Sequence, residues 1–135
     1  MVGTIFIKSL ADGQLANAKA TIYTCPSATQ AIVRLVNYVN SGAAARTVNL
    51  YFKRSGGTSR RVSAKDLSLA AGNMVSFEHI LTMEEGDELE GDASAAAEVD
   101  YIIKGVEKSA GSVSGALTNI RVSGGTTSNL LSAIT

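Results

Sequence analysis

Cysteine, proline, histidine and tryptophan are almost missing from this chain, and each scarcity closes a class of chemistry. Among 135 residues there is one cysteine (Cys25), one proline (Pro26), one histidine (His79) and no tryptophan. A lone cysteine forms neither an intramolecular disulfide nor a cysteine-based zinc cluster, so Cys25 is expected to be a buried, inert thiol. A lone histidine excludes a two-histidine metal site and the H-E-x-x-H arrangement. Without tryptophan, and with the seven Tyr and Phe falling mostly in apolar-alternating segments, carbohydrate stacking has little to work with. No stretch approaches the roughly 18 apolar residues of a membrane span, and the apolar run in MVGTIFIKSLADGQ is too short for a secretory signal. The expectation is a soluble protein made in the cytosol, with no cofactor and no membrane partner.

Charge is sparse as well, at 18% of residues, below the roughly 25% of ordinary globular proteins. Ala, Ser, Gly and Thr fill the gap. Small uncharged side chains lose little entropy when covered, which suits a protein that spends its life packed against neighbours. Twelve basic and twelve acidic residues cancel, so the cationic excess of a general nucleic-acid binder is absent and no nucleic-acid partner is expected. Their distribution is uneven. Residues 1–65 carry nine Lys/Arg and one acid, whereas residues 66–135 carry three Lys/Arg and eleven acids. This polarity either draws neighbouring copies together or is neutralised within an interleaved fold.

Most of the chain reads as short strands separated by turn chemistry. RTVNLYFK (46–53) puts Val48, Leu50 and Phe52 on one face and Thr47, Asn49, Tyr51 and Lys53 on the other. KRSGGTSRR (53–61) then has the form of a hairpin around Gly56-Gly57. Met74 to His79 reads as a strand opened by Gly72, and Ala97, Val99, Tyr101 and Ile103 alternate with Glu98, Asp100, Ile102 and Lys104. SATQAIVRLVNYVN (27–40) is ambiguous. Ile32, Leu35, Val36 and Val39 have helical spacing and Ser27 with Gln30 matches a capping box, but the β-branched content favours a strand with Val33, Leu35 and Val39 inward. The whole predicts an all-β fold, a single antiparallel β-sandwich or jelly roll with extended terminal arms. Residues 1–19 are expected to be an N-terminal arm or edge strand, 20–108 the sandwich, and 109–135 a C-terminal assembly arm.

That last segment holds ten Ser/Thr, four Gly, no acid and only Arg121 as a charge. It nevertheless carries Val113, Leu117, Ile120, Val122, Leu130, Leu131 and Ile134, more than a purely disordered tail needs. An arm that orders on another surface, as an added strand, fits this pattern.

Three clusters are candidates for chemistry. LTMEEGDELEG (81–91) gathers Glu84, Glu85, Asp87, Glu88 and Glu90 around Gly86, with Asp92 just beyond. Its spacing departs from the calcium-loop pattern, and neighbouring carboxylates on a hairpin point mostly into water. A turn with Gly86 at positive φ is the expected reading, with calcium binding as the alternative. Lys53, Arg54, Arg60, Arg61 and Lys65 surround the glycine pair but lack the phosphate-loop pattern and a following helix. Cys25 and His79 form a conceivable nucleophile pair, unsupported by any G-x-S-x-G elbow. No catalytic or metal-binding residue is expected, and the chain is not read as an enzyme.

The succession TIYTCPSATQAIVRLVNYVN, RTVNLYFKRSGG, LSLAAGNMVSFEHILTMEEGDELEG and SAAAEVDYIIKGVE resembles small β-sandwich virion structural proteins of tailed bacteriophages. In these a Y-T-x-P opening, an Asn-ended strand, an L-x-x-G turn and a G-D-x-[IL] turn recur in this order. The likeness covers roughly residues 14–107, and the order of the motifs carries its weight. It implies a role as a capsid decoration (cement) protein or a neck or tail component, located in the virion after synthesis in the host cytoplasm. It further implies the major capsid protein or other virion proteins as partners, and a homo-oligomer with a trimer favoured. By the same resemblance Tyr23, Pro26, Asn40, Gly72, Gly86 and Asp87 are fold markers, with Gly86-Asp87 as a corner between strands.

Overall fold

The computed structural model describes residues 4–109. Ten strands are present among the described residues: β1 (Ile5–Gln14), β2 (Ala20–Thr24), β3 (Thr29–Asn40), β4 (Arg46–Lys53), β5 (Ser59–Arg61), β6 (Leu67–Leu69), β7 (Met74–Phe77), β8 (Leu81–Met83), β9 (Glu88–Ala93) and β10 (Val99–Ser109). All pairings are antiparallel. Sheet A has the order β1-β10-β3-β7, with β8 also on β3, and sheet B has the order β2-β9-β4-β5, with β6 also on β4. The chain therefore folds as a nested double-over. Its outermost strands pair first, the next pair lies in the opposite sheet, and so on inward, which is jelly-roll topology.

Alternation builds the core. Val48 and Leu50 of β4, Leu89 of β9, Val99 and Ile103 of β10, and Val33, Val36 and Tyr38 of β3 face one another between the sheets and are buried. The Tyr38 ring meets Phe77 edge-on at 5.4 Å between centroids. Its hydroxyl crosses the sandwich to donate to the Asn49 carbonyl at 3.0 Å, so a polar tip inside the core has a partner. Burial holds that hydroxyl above its usual pKa range.

Residues 27–40 form a strand, but with a different inward set. The β10–β3 register shifts between Lys104 and Gly105, where Lys104 pairs Leu35 and Gly105 pairs Val33. The extra residue, Arg34, is a β-bulge that resets the alternation. Val33 stays inward, Leu35 and Val39 become half-buried, and Val36 and Tyr38 take the core positions. Opposite the bulge the partner strand breaks into β7 and β8, so the strand expected over Met74 to His79 ends at Phe77 and His79 lies exposed in the connection. The Ser27–Gln30 pair caps no helix; Ser27 and Ala28 form the turn into β3.

The charge asymmetry is absorbed by the same interleaving. Strands of the basic half (β1, β3, β2, β4) alternate laterally with β10 and β9 of the acidic half. Ion pairs follow across them: Lys8 Nζ to Glu107 Oε1 at 3.2 Å, and Arg46 Nε to Glu98 Oε1 at 2.8 Å.

Asn40 closes one end of the sandwich and is fully buried. Its Nδ2 donates to the carbonyls of Ala44 (2.8 Å) and Leu69 (3.0 Å), and its Oδ1 accepts from Gly42 N (3.0 Å). Its backbone binds the Gly72 turn, accepting from Gly72 N at 2.8 Å and donating to Asn73 O at 2.9 Å. One side chain thus ties two loops to the end of β3.

Candidate assembly surface

The outer face of sheet A carries an apolar strip where a solvated face would be polar. Register places Ile7 of β1, Val106 of β10, Ile32 of β3 and Thr82 of β8 in one lateral row. Ile5, Lys108 and Gln30 form the next row toward the end of the sheet. Ile5, Ile7 and Ile32 are 62%, 87% and 40% exposed. Between these rows lies a groove of about 400 Å³, bounded by Glu84 and Lys108. Past Val106 the surface continues into a more open, basic stretch with Lys8, Arg34 and Lys104.

β1 forms the rim of this face. It pairs with β10 on one side and, among the described residues, with no strand on the other. Ile5 to Ser9 are exposed on both faces, because Phe6, which points opposite to Ile5 and Ile7, is itself 47% exposed. Proteins usually blunt such an edge with charge, proline or a bulge; here only Lys8 follows an uninterrupted Ile-Phe-Ile run, and the bulge comes later, between Ser9 and Ala11. The N-terminal sequence offers the signal for this surface in its consecutive apolar residues, which leave no polar face for solvent.

The acidic stretch is a corner. Gly86 has φ of +84°, in the region where L side chains are strained. Asp87 is 8% exposed, and both its oxygens are taken: Oδ1 accepts from Ser55 N and Oδ2 from Glu84 N, each at 2.9 Å. Its main chain completes the join, with Cys25 N donating to Asp87 O at 2.9 Å and Gly86 N to Cys25 O at 3.0 Å. The other carboxylates disperse to separate donors. Glu85 accepts from Ala28 N (2.8 Å), Glu88 from the Thr21 hydroxyl (2.7 Å), and Glu90 from the Ser59 hydroxyl. Among the described residues no three His, Cys, Asp or Glu converge as metal ligands.

The basic hairpin keeps Arg54, Arg60, Arg61 and Lys65 exposed, with Arg61 lying against its neighbour Tyr51. β4 and β5 pair Tyr51 with Arg61 and Lys53 with Ser59 around the Gly56-Gly57 turn. The Arg61 guanidinium lies 4.9 Å and Lys19 Nζ 4.4 Å from the Tyr51 ring centroid, covering a tyrosine on the outer face of sheet B. Beside it Asn49 accepts from Arg61 and donates to Asp92 at 2.8 Å and Asp66 at 3.1 Å. The Tyr51 hydroxyl donates to Asp92 at 3.2 Å. Burial first, then the Asp92 carboxylate, holds that hydroxyl above its ordinary pKa. A strand follows the glycine turn, so no helix N-terminus is available to cradle phosphate.

Cys25 is 1% exposed and donates to the Thr29 carbonyl at 3.3 Å. Nearby, the Tyr23 hydroxyl donates to Glu107 Oε2 at 2.6 Å, while Lys8 holds the other Glu107 oxygen, a clasp joining the open edges of the two sheets. Burial, then the negative charges of Glu107, Asp87 and Glu85, push the Cys25 thiol up to about 11. His79 has no hydrogen bond to Cys25 among the described residues, so the pair considered from the sequence does not form. The thiol should therefore resist maleimide at pH 8 in the native protein and react promptly in denaturant. An unfolded cysteine ionises near 9.0 while this one stays neutral to about 11, so stability linked to it is intact below pH 8 and falls as pH rises from 9 toward 11. A native thiol that reacts as fast as the unfolded one contradicts this placement.

Of the fold markers, Tyr23 lies in the clasp, Pro26 leads the exposed turn into β3, Asn40 and Gly72 meet at one end, and Gly86 and Asp87 make the corner at the other. Val113, Leu117, Ile120, Val122, Leu130, Leu131 and Ile134 lie outside the described residues.

No protein-family model and no curated protein matches this sequence. Among solved structures, a protein of the Bacillus endospore appendages, a family of disulfide-linked pili, is similar over 81% of this chain and 91% of its own, with 22% identity and a TM-score of 0.51. A protein of the acid-stable capsid of Helicobacter pylori bacteriophage KHP30 is similar over 80% of this chain and 88% of its own, at 13% identity and a TM-score of 0.45. A pentameric capsid protein from metagenomic phage sequences covers 79% of this chain and 63% of its own, at 18% identity and a TM-score of 0.33. The likeness to the Bacillus protein is one of fold, a two-sheet all-β body.

Proposed function

We propose that this chain is a non-enzymatic structural protein of a virion, a capsid decoration (cement) subunit that binds the outer shell in many copies as a homo-oligomer. The observation that carries the reading is the exposed isoleucine strip on sheet A beside the open β1 edge. Ile5, Ile7 and Ile32 stand exposed together on that face, so contact with another surface there removes apolar area from water. Covering Ile5, Ile7 and Ile32 contributes roughly 3–6 kcal/mol gross per copy, part of it offset by ordering, and symmetric repetition multiplies the effect. The phage-protein motif order supports the same reading. So does the shared fold with a protein built into pili, itself a repeated assembly.

The disulfide linkage of those pili does not transfer. Cys25 is the sole cysteine of these 135 residues and points into the core. Neck or tail placement is separated from the shell by stoichiometry. Quantitative mass spectrometry of purified particles should find on the order of hundreds of copies, whereas about a dozen or fewer would move the protein to the neck or tail. Absence from particles overturns the proposal. Removing residues 110–135 should abolish particle binding while far-ultraviolet circular dichroism stays that of a β-sandwich; undiminished binding would count against a fastening role for that segment.

A further inference from the structure

We infer that the groove on the outer face of sheet A receives the C-terminal segment of a neighbouring copy, residues 110–135, so that copies join by exchanging arms. The inference rests on the assembly reading above and names the partner of its surface.

Three observations converge on this occupant. The first is position. β10 ends at Ser109, whose backbone N donates to the Thr4 carbonyl at 2.8 Å, so the chain leaves the body beside Ile5 and Lys108 at the groove's open end. The second is reach. The 26 residues after Ser109 (135 minus 109) extend at most roughly 85 Å, more than twice the roughly 35 Å width of a body this size. That is far more chain than a return to its own groove needs, and enough to reach a neighbour.

The third is chemical match. Residues 110–135 contain no acid and one cation, Arg121, with Val113, Leu117, Ile120 and Val122 spaced along the first half. The groove is floored by Ile32 and Val106, and Glu84 and Lys108 stand at its rim. The floor suits the apolar residues of this segment, and a rim that holds one acid, Glu84, and one base, Lys108, suits a segment that is nearly neutral and carries a single cation. Exchange between identical copies makes the same contact at every interface, giving a closed oligomer where the rotation between copies closes and an open chain of copies where it does not.

Complementation in the full-length protein tests the idea. One variant, Ile32→Asp, blocks the groove at an exposed position; a second, Leu117→Asp with Ile120→Asp, spoils the arm and leaves the groove intact. Sedimentation velocity should show the unmodified chain as an oligomer and each variant alone as a monomer. Mixing the two variants should restore an associated species, because the intact arm of one meets the intact groove of the other. A monomeric unmodified chain, association untouched by either variant, or a mixture that stays monomeric each overturns the inference. Because no virion is involved, failure here leaves the copy-number experiment to decide the virion reading by itself.

Discussion

Gly105→Ala should be the most damaging single-methyl addition in the sandwich, destabilising it by about 3–5 kcal/mol and lowering the melting temperature by about 10–20 °C. Gly105 sits in the bulge where β10 meets β3, and a Cβ there would lie 2.1 Å from the Ile32 carbonyl oxygen and 3.0 Å from its carbon. These are backbone atoms of the central strand pair, which cannot rotate away as a side chain would. Relief requires β3 and β10 to separate, breaking ladder bonds in the middle of sheet A. Gly72→Ala is the control, since a Cβ there meets nothing within 4 Å and only backbone strain of about 1 kcal/mol remains. Thermal melts of the two variants check the contrast; equal small losses would mean that the bulge is not held as described.

Asp87→Ala should cost about 2–3 kcal/mol, a drop in melting temperature of about 6–12 °C. The substitution removes both acceptors that satisfy Ser55 N and Glu84 N, and with them the tie between the β4–β5 hairpin and the corner before β9. Asp87→Asn keeps one acceptor and should lose roughly half as much. Millimolar calcium should leave the melting temperatures of the parent and of both variants unchanged, because this carboxylate already has protein donors. A calcium-dependent rise confined to the parent would restore the metal reading of the acidic stretch.

The corner and the hairpin were legible because each is written locally. A glycine at a positive-φ position flanked by Glu85 and Asp87, or a Gly-Gly pair between two apolar-alternating runs, needs no distant partner to be recognised. β4 was legible for the same reason, as its inward Val48 and Leu50 alternate without interruption. β3 was harder because of Arg34. One inserted residue places Ile32 and Leu35 on the same face, three apart, which mimics helical spacing inside a strand. The roles of Asn49 and Tyr51 also escaped the pattern. They fall on the outward face as alternation requires, yet Arg61, Lys19 and Asp92 cover them, and that cover comes from distant segments. The isoleucine strip depends on three strands meeting in register, which no single segment encodes.

The contact between Thr4 and Ser109, 105 positions apart, has a kinetic corollary. The first strand finds its hydrogen-bonding partner only when the last one has been synthesised, so sheet A cannot close on a nascent chain still short of β10. Acquisition of the native state is therefore expected only once β10 has emerged, at the slow end for its size, on a timescale of roughly milliseconds to seconds. Until then both edges of β1 are unpaired, and crowded synthesis of many copies makes premature strand pairing a hazard of production.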